Sequence, residues 1–274
     1  LRRSNLSSKA WSIDTPNLTS SDIIDFPFHI FDLRYHIPEI CVNALEIRYH
    51  MERNLETILF DAATRIGIFL NDKQLSLFSQ YYRELVVWNE KMNLVSVKSD
   101  LDIPIKHFID SLTPVIFLTS TSVRLLDIGA GAGFPGLPMK IAVPSLKVSL
   151  LESSRKKTSF LKHVIRTLAF DETTVIHNRV EHLIADVRYR NYFDTVISRA
   201  TFKLSALIPI SSFFLRHNGT VMAMKGKNVT DELNEAIEIS EMSSGLTFLA
   251  CHEIRLPVTG DLRKIVIFKK TVNH

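Results

Sequence analysis

Cysteine is almost missing from this chain: Cys41 and Cys251 are the only two in 274 residues. Two distant cysteines exclude a disulfide framework and a multi-cysteine zinc site, and they suit a reducing compartment. Nor does any apolar run approach the ~18 residues that a membrane-spanning helix needs. Arg2 and Arg3 are followed by no apolar stretch of the kind a signal peptide carries. A cytoplasmic location without membrane association is therefore expected. Glycine, at nine, and proline, at ten, are too few for a low-complexity or collagen-like chain. What remains is ordinary globular composition, 46% hydrophobic and 23% charged. That is enough chain to bury a core without a metal or disulfide staple.

Charge is uneven. Residues 1–50 hold five Lys/Arg against six Asp/Glu, while the remainder holds 28 against 23. A pI near 9.0 permits a polyanionic partner, although many proteins are this basic with none. The chain starts at Leu1, its first methionine is Met51, and residues 4–22 are rich in Ser, Thr and Asn. Residues 1–50 are expected to be a poorly structured extension, either an upstream in-frame translation or a separate arm.

Beyond Met51 the pattern sharpens. Leu55, Ile58, Leu59, Ala62, Ala63, Ile66 and Phe69 recur at helical spacing. Asn71 or Asp72 then offers an N-cap for a second helix, with Leu75, Phe78, Tyr82, Leu85 and Trp88 on one stripe. A third helical stretch is expected from Ile103 to Leu118, so 51–120 reads as a helical cap. From 121 to 274 strands and helices alternate. Strands are expected at Val123–Ile128, Lys147–Leu151, Thr173–His177, Phe193–Ser198, Gly219–Met224, Leu246–Arg255 and Lys264–Lys269. Alternation predicts an α/β fold with a mostly parallel sheet. The short loop between the last two strands predicts an antiparallel C-terminal hairpin.

A glycine-rich loop, Asp127-Ile-Gly-Ala-Gly-Ala-Gly-Phe-Pro-Gly136, follows the first strand. Gly129, Gly131 and Gly133 let backbone turn tightly and approach a ligand. Glu152 ends the second strand 21 residues beyond Gly131, where an acid can accept hydrogen bonds from ribose hydroxyls. The pair points to an adenosine-type cofactor; an unliganded glycine turn is the plainer alternative. A nicotinamide cofactor would bring a pyrophosphate, which Asp127 would repel. S-adenosylmethionine brings an ammonium that Asp127 can face. Pro135, Pro138 and the closing hairpin also favour the methyl donor over a nicotinamide dehydrogenase.

Several stretches together resemble the bacterial GidB/RsmG family. They are Trp88-Asn-x-x-x-Asn93-Leu94, His107-x-x-Asp110-Ser111, the glycine loop through Pro138, and Leu151-Glu-Ser153 with Lys156 and Phe160-Leu161. Further on come Arg179-Val-Glu181, Phe193-Asp-x-Val-Ile-Ser-Arg-Ala200, Lys225-Gly226 and Pro257-x-x-Gly260-x-x-Arg263. The likeness covers roughly 52–270, with Lys264 standing where family members often carry histidine. It implies a class I S-adenosylmethionine-dependent methyltransferase with a Rossmann-like sheet. The implied target is N7 of one guanine in 16S ribosomal RNA of the small subunit. By the same resemblance Gly129, Phe134, Val180, Glu181 and Arg199 line the cofactor site, with Asp127, Gly131, Gly133 and Glu152 joining by position.

Guanine N7 has a free lone pair on the major-groove edge, so no proton need leave before attack and no general base is expected. Arg199 is the residue expected to position the reactants, holding a carboxylate, a phosphate or the base; a structural ion pair is the plainer alternative. Cytosine C5 chemistry would need a cysteine near the cofactor, and adenine N6 enzymes usually show an Asp/Asn-Pro-Pro-aromatic segment where this chain has Ser198-Arg199-Ala200-Thr201. Asn93, His107, Asp110, Ser111, Arg155, Lys156, Lys225 and Arg263 are the candidate contacts to RNA. Residues of these types also cap helices, bridge domains and solvate surfaces. No metal site and a monomeric enzyme are expected.

Overall fold

The computed structural model describes residues 54–120, 123–240, 242 and 245–271. The chain divides into two compact units, Leu1–Arg48 and Tyr49–His274. The first unit, and with it the expectation for residues 1–50, lies outside the described residues. The second is built of helices around a seven-stranded sheet.

Helix α1 occupies residues 54–65. It stops earlier than its apolar spacing suggests, because Gly67 takes a left-handed φ of 79°. Gly67 N–H then bonds to the Thr64 carbonyl and Ile68 N–H to the Ala63 carbonyl, which is a Schellman closure. Phe69, expected on the buried stripe, is thereby carried off the helix and is 77% exposed. Helix α2, Asp72–Met92, begins on a capping box between Asn71 and Gln74. Its buried stripe runs through Leu75, Phe78, Tyr81 and Leu85. Tyr81 rather than Tyr82 turns inward; both lie within a helical turn of Phe78, and the neighbours choose between them. The third stretch is helical but uneven: a wide π turn at Asp102–Ile109, one α turn α3 at Asp110–Leu112, and a 3-10 turn at Thr113–Phe117.

The sheet comprises β1 (Arg124–Ile128), β2 (Lys147–Glu152), β3 (Thr173–His177), β4 (Phe193–Arg199), β5 (Leu215–Lys225), β6 (Leu246–Arg255) and β7 (Leu262–Lys270). Their spatial order is β3-β2-β1-β4-β5-β7-β6. The first five are parallel, and β7 inserts antiparallel between β5 and β6. The mixed sheet and its closing hairpin are as the sequence predicts. One strand differs: β5 starts at Leu215 rather than Gly219. Asn218 at φ 64° and a register shift against β4 mark an irregularity that the strand crosses.

Strand residues alternate between two cores, as a period of two requires. Leu125, Val148, Leu150 and Ile197 face α4 (Gly136–Ala142), α5 (Arg155–Thr167) and the cap. Leu126, Ile128, Leu151 and Val196 face α6 (Val180–Leu183), α7 (Leu204–Phe214) and α8 (Thr230–Ile239). The cap and the sheet thus share one core on the first face. Gln74 strengthens this joint: its amide donates to the carbonyls of Ile141 and Ala142, satisfying the end of α4.

Candidate cofactor site

The carboxyl ends of β1 to β4 surround a cavity of about 380 Å³ lined by Gly129, Glu152, Val180, Glu181, Thr201 and Lys157 among others. Ligands bind at this edge of open α/β sheets. The volume lies within the range of small-molecule sites.

The glycine loop forms one wall. Gly129, Gly131 and Gly133 all adopt positive φ, at 75°, 60° and 102°. A side chain at Gly129 would strike Thr201, 2.7 Å away, so the β1 and β4 loops touch here. At Gly131 an added Cβ would find nothing nearer than the Gly129 carbonyl at 3.9 Å, so the space beside it is open. Glu152 bridges two loops, accepting from Gly131 N–H at 2.9 Å and Ser154 N–H at 2.7 Å. Its expected ribose contact must therefore use the remaining lone pairs, since each carboxylate oxygen has two.

Asp127 is completely buried. Its Oδ2 accepts from Gly136 N–H at 2.8 Å, while Oδ1 has no hydrogen-bond partner among the described residues. Burial pushes the carboxyl up to about 7, against the opposing pull of the Gly136 amide and Arg199. An unsatisfied carboxylate beside a glycine loop suits a cationic ligand group and repels a pyrophosphate.

Other predicted residues gather against the cap instead of lining the cavity. Phe134 is buried, stacked on His107 at 5.1 Å and on Tyr81 at 5.6 Å, so it is a core side chain here. Arg199 lies over the Phe134 ring at 5.0 Å. Its Nη1 donates to the Lys106 carbonyl at 3.2 Å and approaches Asp110 Oδ2 at 3.5 Å, and its Nη2 meets His107 Nδ1 at 3.2 Å. Arg263 Nε sits 3.2 Å from Asp110 Oδ1, within ion-pair reach though outside hydrogen-bond geometry. Burial holds His107 down at about 4, with the neighbouring Arg199 charge acting in the same sense. A neutral His107 can thus accept from Arg199 on Nδ1. Burial raises the Asp110 carboxyl, and the two arginines oppose that shift.

Several candidate RNA contacts are already occupied. Lys225 Nζ binds the Phe202 carbonyl at 2.5 Å and Glu232 at 2.6 Å. Ser111 Oγ donates back to the His107 carbonyl at 2.5 Å inside its own helical run, and Asn93 is the left-handed C-cap of α2. Lys264 pairs with Glu253 at 3.6 Å. Arg155 and Lys156 are exposed on the first turn of α5, and the next residue, Lys157, reaches the cavity.

Sequence reasoning missed Tyr81. Its hydroxyl donates to the Ala132 carbonyl within the glycine loop, and a side chain at Gly133 would meet that hydroxyl at 2.7 Å. The helical stripe was the only signal, and it also accommodated Tyr82. Among the described residues no group of three or more His, Cys, Asp or Glu is placed to hold a metal.

A parallel sheet closed by an antiparallel hairpin, a glycine loop, an acid ending β2 and an unpaired acid before the loop define a class I S-adenosylmethionine-dependent methyltransferase. A family model described as GidB, rRNA small subunit methyltransferase G, matches residues 74–255, and the chain belongs to that family. The ribosomal RNA small subunit methyltransferase G of Syntrophus aciditrophicus (strain SB) is 44% identical over 215 residues, 78% of this chain and 89% of that protein. Its namesake in Lactococcus lactis subsp. lactis (strain IL1403) is 39% identical over 76% of this chain and 88% of that one. That of Thermoanaerobacter sp. (strain X514) is 35% identical over 81% and 93%. Among solved structures, the precorrin-6y C5,15-methyltransferase of Geobacter metallireducens has a TM-score of 0.46 at 17% identity, covering 59% of this chain and 88% of that one.

Proposed function

We propose that this protein transfers the methyl group of S-adenosylmethionine to N7 of one guanine in 16S ribosomal RNA of the small subunit. The observation that carries this reading is the placement of the cofactor-type cavity beside exposed Arg155 and Lys156, in a chain of the small-subunit rRNA methyltransferase family. These two cations and Lys157 occupy the first turn of α5, the positive end of the helix dipole. Their position there opposes helix stability and is explained by a polyanionic partner.

In this reading Glu152 holds the ribose, Val180 and Glu181 border the adenine, and Asp127 faces the ammonium beyond Gly129 and Gly131. Arg199 orients the reactants. The bound cofactor supplies an electrophilic methyl on a sulfonium. Guanine N7 needs no deprotonation, so the side chains serve chiefly to align acceptor and donor in line. His107, neutral and engaged by Arg199, is not required as a base. The target base is unstacked into the pocket and chosen by RNA shape, while the α5 cations hold phosphates.

On this proposal 51–120 is a cap and 121–274 the methyltransferase domain of a monomer working in the cytoplasm. Among the described residues no helix is long and apolar enough to cross a membrane. The test is to incubate the full chain with labelled S-adenosylmethionine and unmodified small subunits or naked 16S RNA, then map N7-methylguanine by chemical cleavage. One labelled guanine supports the assignment. Cofactor binding without label in either substrate overturns it.

A further inference from the structure

We infer that Asp110, assisted by His107, is a positioning residue that acts through Arg199: the cap sets the direction of the guanidinium that works at the cofactor site. The inference rests on the proposed role of Arg199 at that site. Strand β4 fixes the Arg199 backbone, but a long side chain on a strand end has many rotamers. Among the described residues, the hydrogen bonds to its guanidinium all come from a single cap segment, residues 106–110. The Lys106 carbonyl and Asp110 Oδ2 take Nη1, and the His107 lone pair takes Nη2. The Phe134 ring supports the guanidinium from one face at 5.0 Å.

Asp110 is well suited to this task. Its carboxylate is 7% exposed and lies between two guanidiniums, Arg199 from β4 and Arg263 from β7. Arg263 has a second partner in Asp261 at 3.7 Å, so Asp110 is shared between the two guanidiniums rather than being the sole counter-ion of both. The contact from Arg199 to Asp110 is long, at 3.5 Å, and its other acceptors, the Lys106 carbonyl and the His107 imidazole, are neutral. A guanidinium held by one shared carboxylate and two neutral acceptors can still take up the carboxylate or phosphate of a ligand.

The test is a double-mutant cycle read as S-adenosylhomocysteine affinity by calorimetry on the full chain, with circular dichroism and thermal melts on every variant. Asp110→Asn keeps the shape and removes the charge; Arg199→Ala removes the group acted upon. Asp110→Asn alone should weaken binding about ten-fold, the scale of one hydrogen bond to a charged group. In the Arg199→Ala background it should change binding less than about two-fold, because the residues then no longer communicate. His107→Ala, which removes one acceptor, should behave likewise with a smaller effect, and it serves if Asp110→Asn does not fold. An equal loss from Asp110→Asn or His107→Ala in both backgrounds would mean a purely structural role and overturn the inference. Affinity unaltered by Arg199→Ala would remove Arg199 from the cofactor site, and both readings would fall together.

Discussion

The two flanks of the glycine loop are built on opposite plans. On the cavity flank, Gly131 borders open space and Glu152 keeps lone pairs free. On the cap flank, Tyr81, Phe108, His107 and Phe134 close ring on ring, and a Cβ at Gly133 would meet Leu137 at 2.5 Å. The same short loop is thus left open where a ligand belongs and packed to contact where the fold must hold. Adjacent glycines in one motif answer to different demands, and mutation should separate them.

The largest expected effect is on the packed flank. Gly133→Val places a branched side chain at φ 102° into Tyr81 and Leu137. It should cost about 4 kcal/mol or more, a large share of a typical domain's stability, and denaturant unfolding will show it. Gly131→Val, two residues earlier, should cost only about 1–2 kcal/mol of backbone strain. Its side chain enters the open space instead, so S-adenosylhomocysteine affinity should drop about a hundred-fold, a loss calorimetry can read. A Gly131→Val variant that binds normally would break the comparison.

Two buried groups on the cap side of the loop, Asp127 and His107, should titrate in opposite senses. The folded value of Asp127 is raised to about 7, so the native state holds a proton that the unfolded state releases, and stability falls as pH rises toward 7. The folded value of His107 is lowered to about 4, so the unfolded state holds the extra proton between pH 4 and 6.5, and stability there rises with pH. The two slopes offset each other in the wild type. Asp127→Asn removes the first slope, so its stability relative to wild type should climb by about 2 kcal/mol between pH 5 and pH 7. Urea unfolding at three pH values checks this, and parallel curves would place Asp127 among ordinary carboxylates.

The smallest effect lies outside both flanks. Replacing Arg155 and Lys156 by alanine should leave the melting temperature and cofactor affinity nearly unchanged. It should flatten the log–log salt dependence of RNA binding by about 1.5, as expected for two lost phosphate contacts. An unaltered slope would return these cations to the role of solvated surface.

How much of the molecule was legible in the sequence depends on how local each signal was. Six of the seven strands began and ended within a residue or two of the pattern, because alternation and flanking loops are local. The start of β5 was hidden, since Asn218 and Gly219 read as a break although the strand runs across them. The end of α1 and the inward face of α2 were misjudged for related reasons. Ile66 and Phe69 continue the apolar period to either side of Gly67, and Tyr81 and Tyr82 satisfy the spacing equally well. The glycine loop and Glu152 were legible as a motif. The occupied states of Lys225 and Ser111 and the ties of Asp110 to Arg199 and Arg263 were not. Most of those contacts join segments far apart in the chain, and nothing in the local spacing of Asp110 announces two arginines.

The position of β7 has a consequence for the order in which the molecule comes into being. Asp110 and the glycine loop leave the ribosome long before Arg263 is synthesised. Until then Asp110 has only Arg199 as a counter-ion, and β5 is an unpaired edge awaiting β7. Long-range pairing of this kind forms last, after the local segments have found their shapes. A half-made chain therefore carries the complete glycine loop while β5 and β6 still lack the strand that joins them to one sheet.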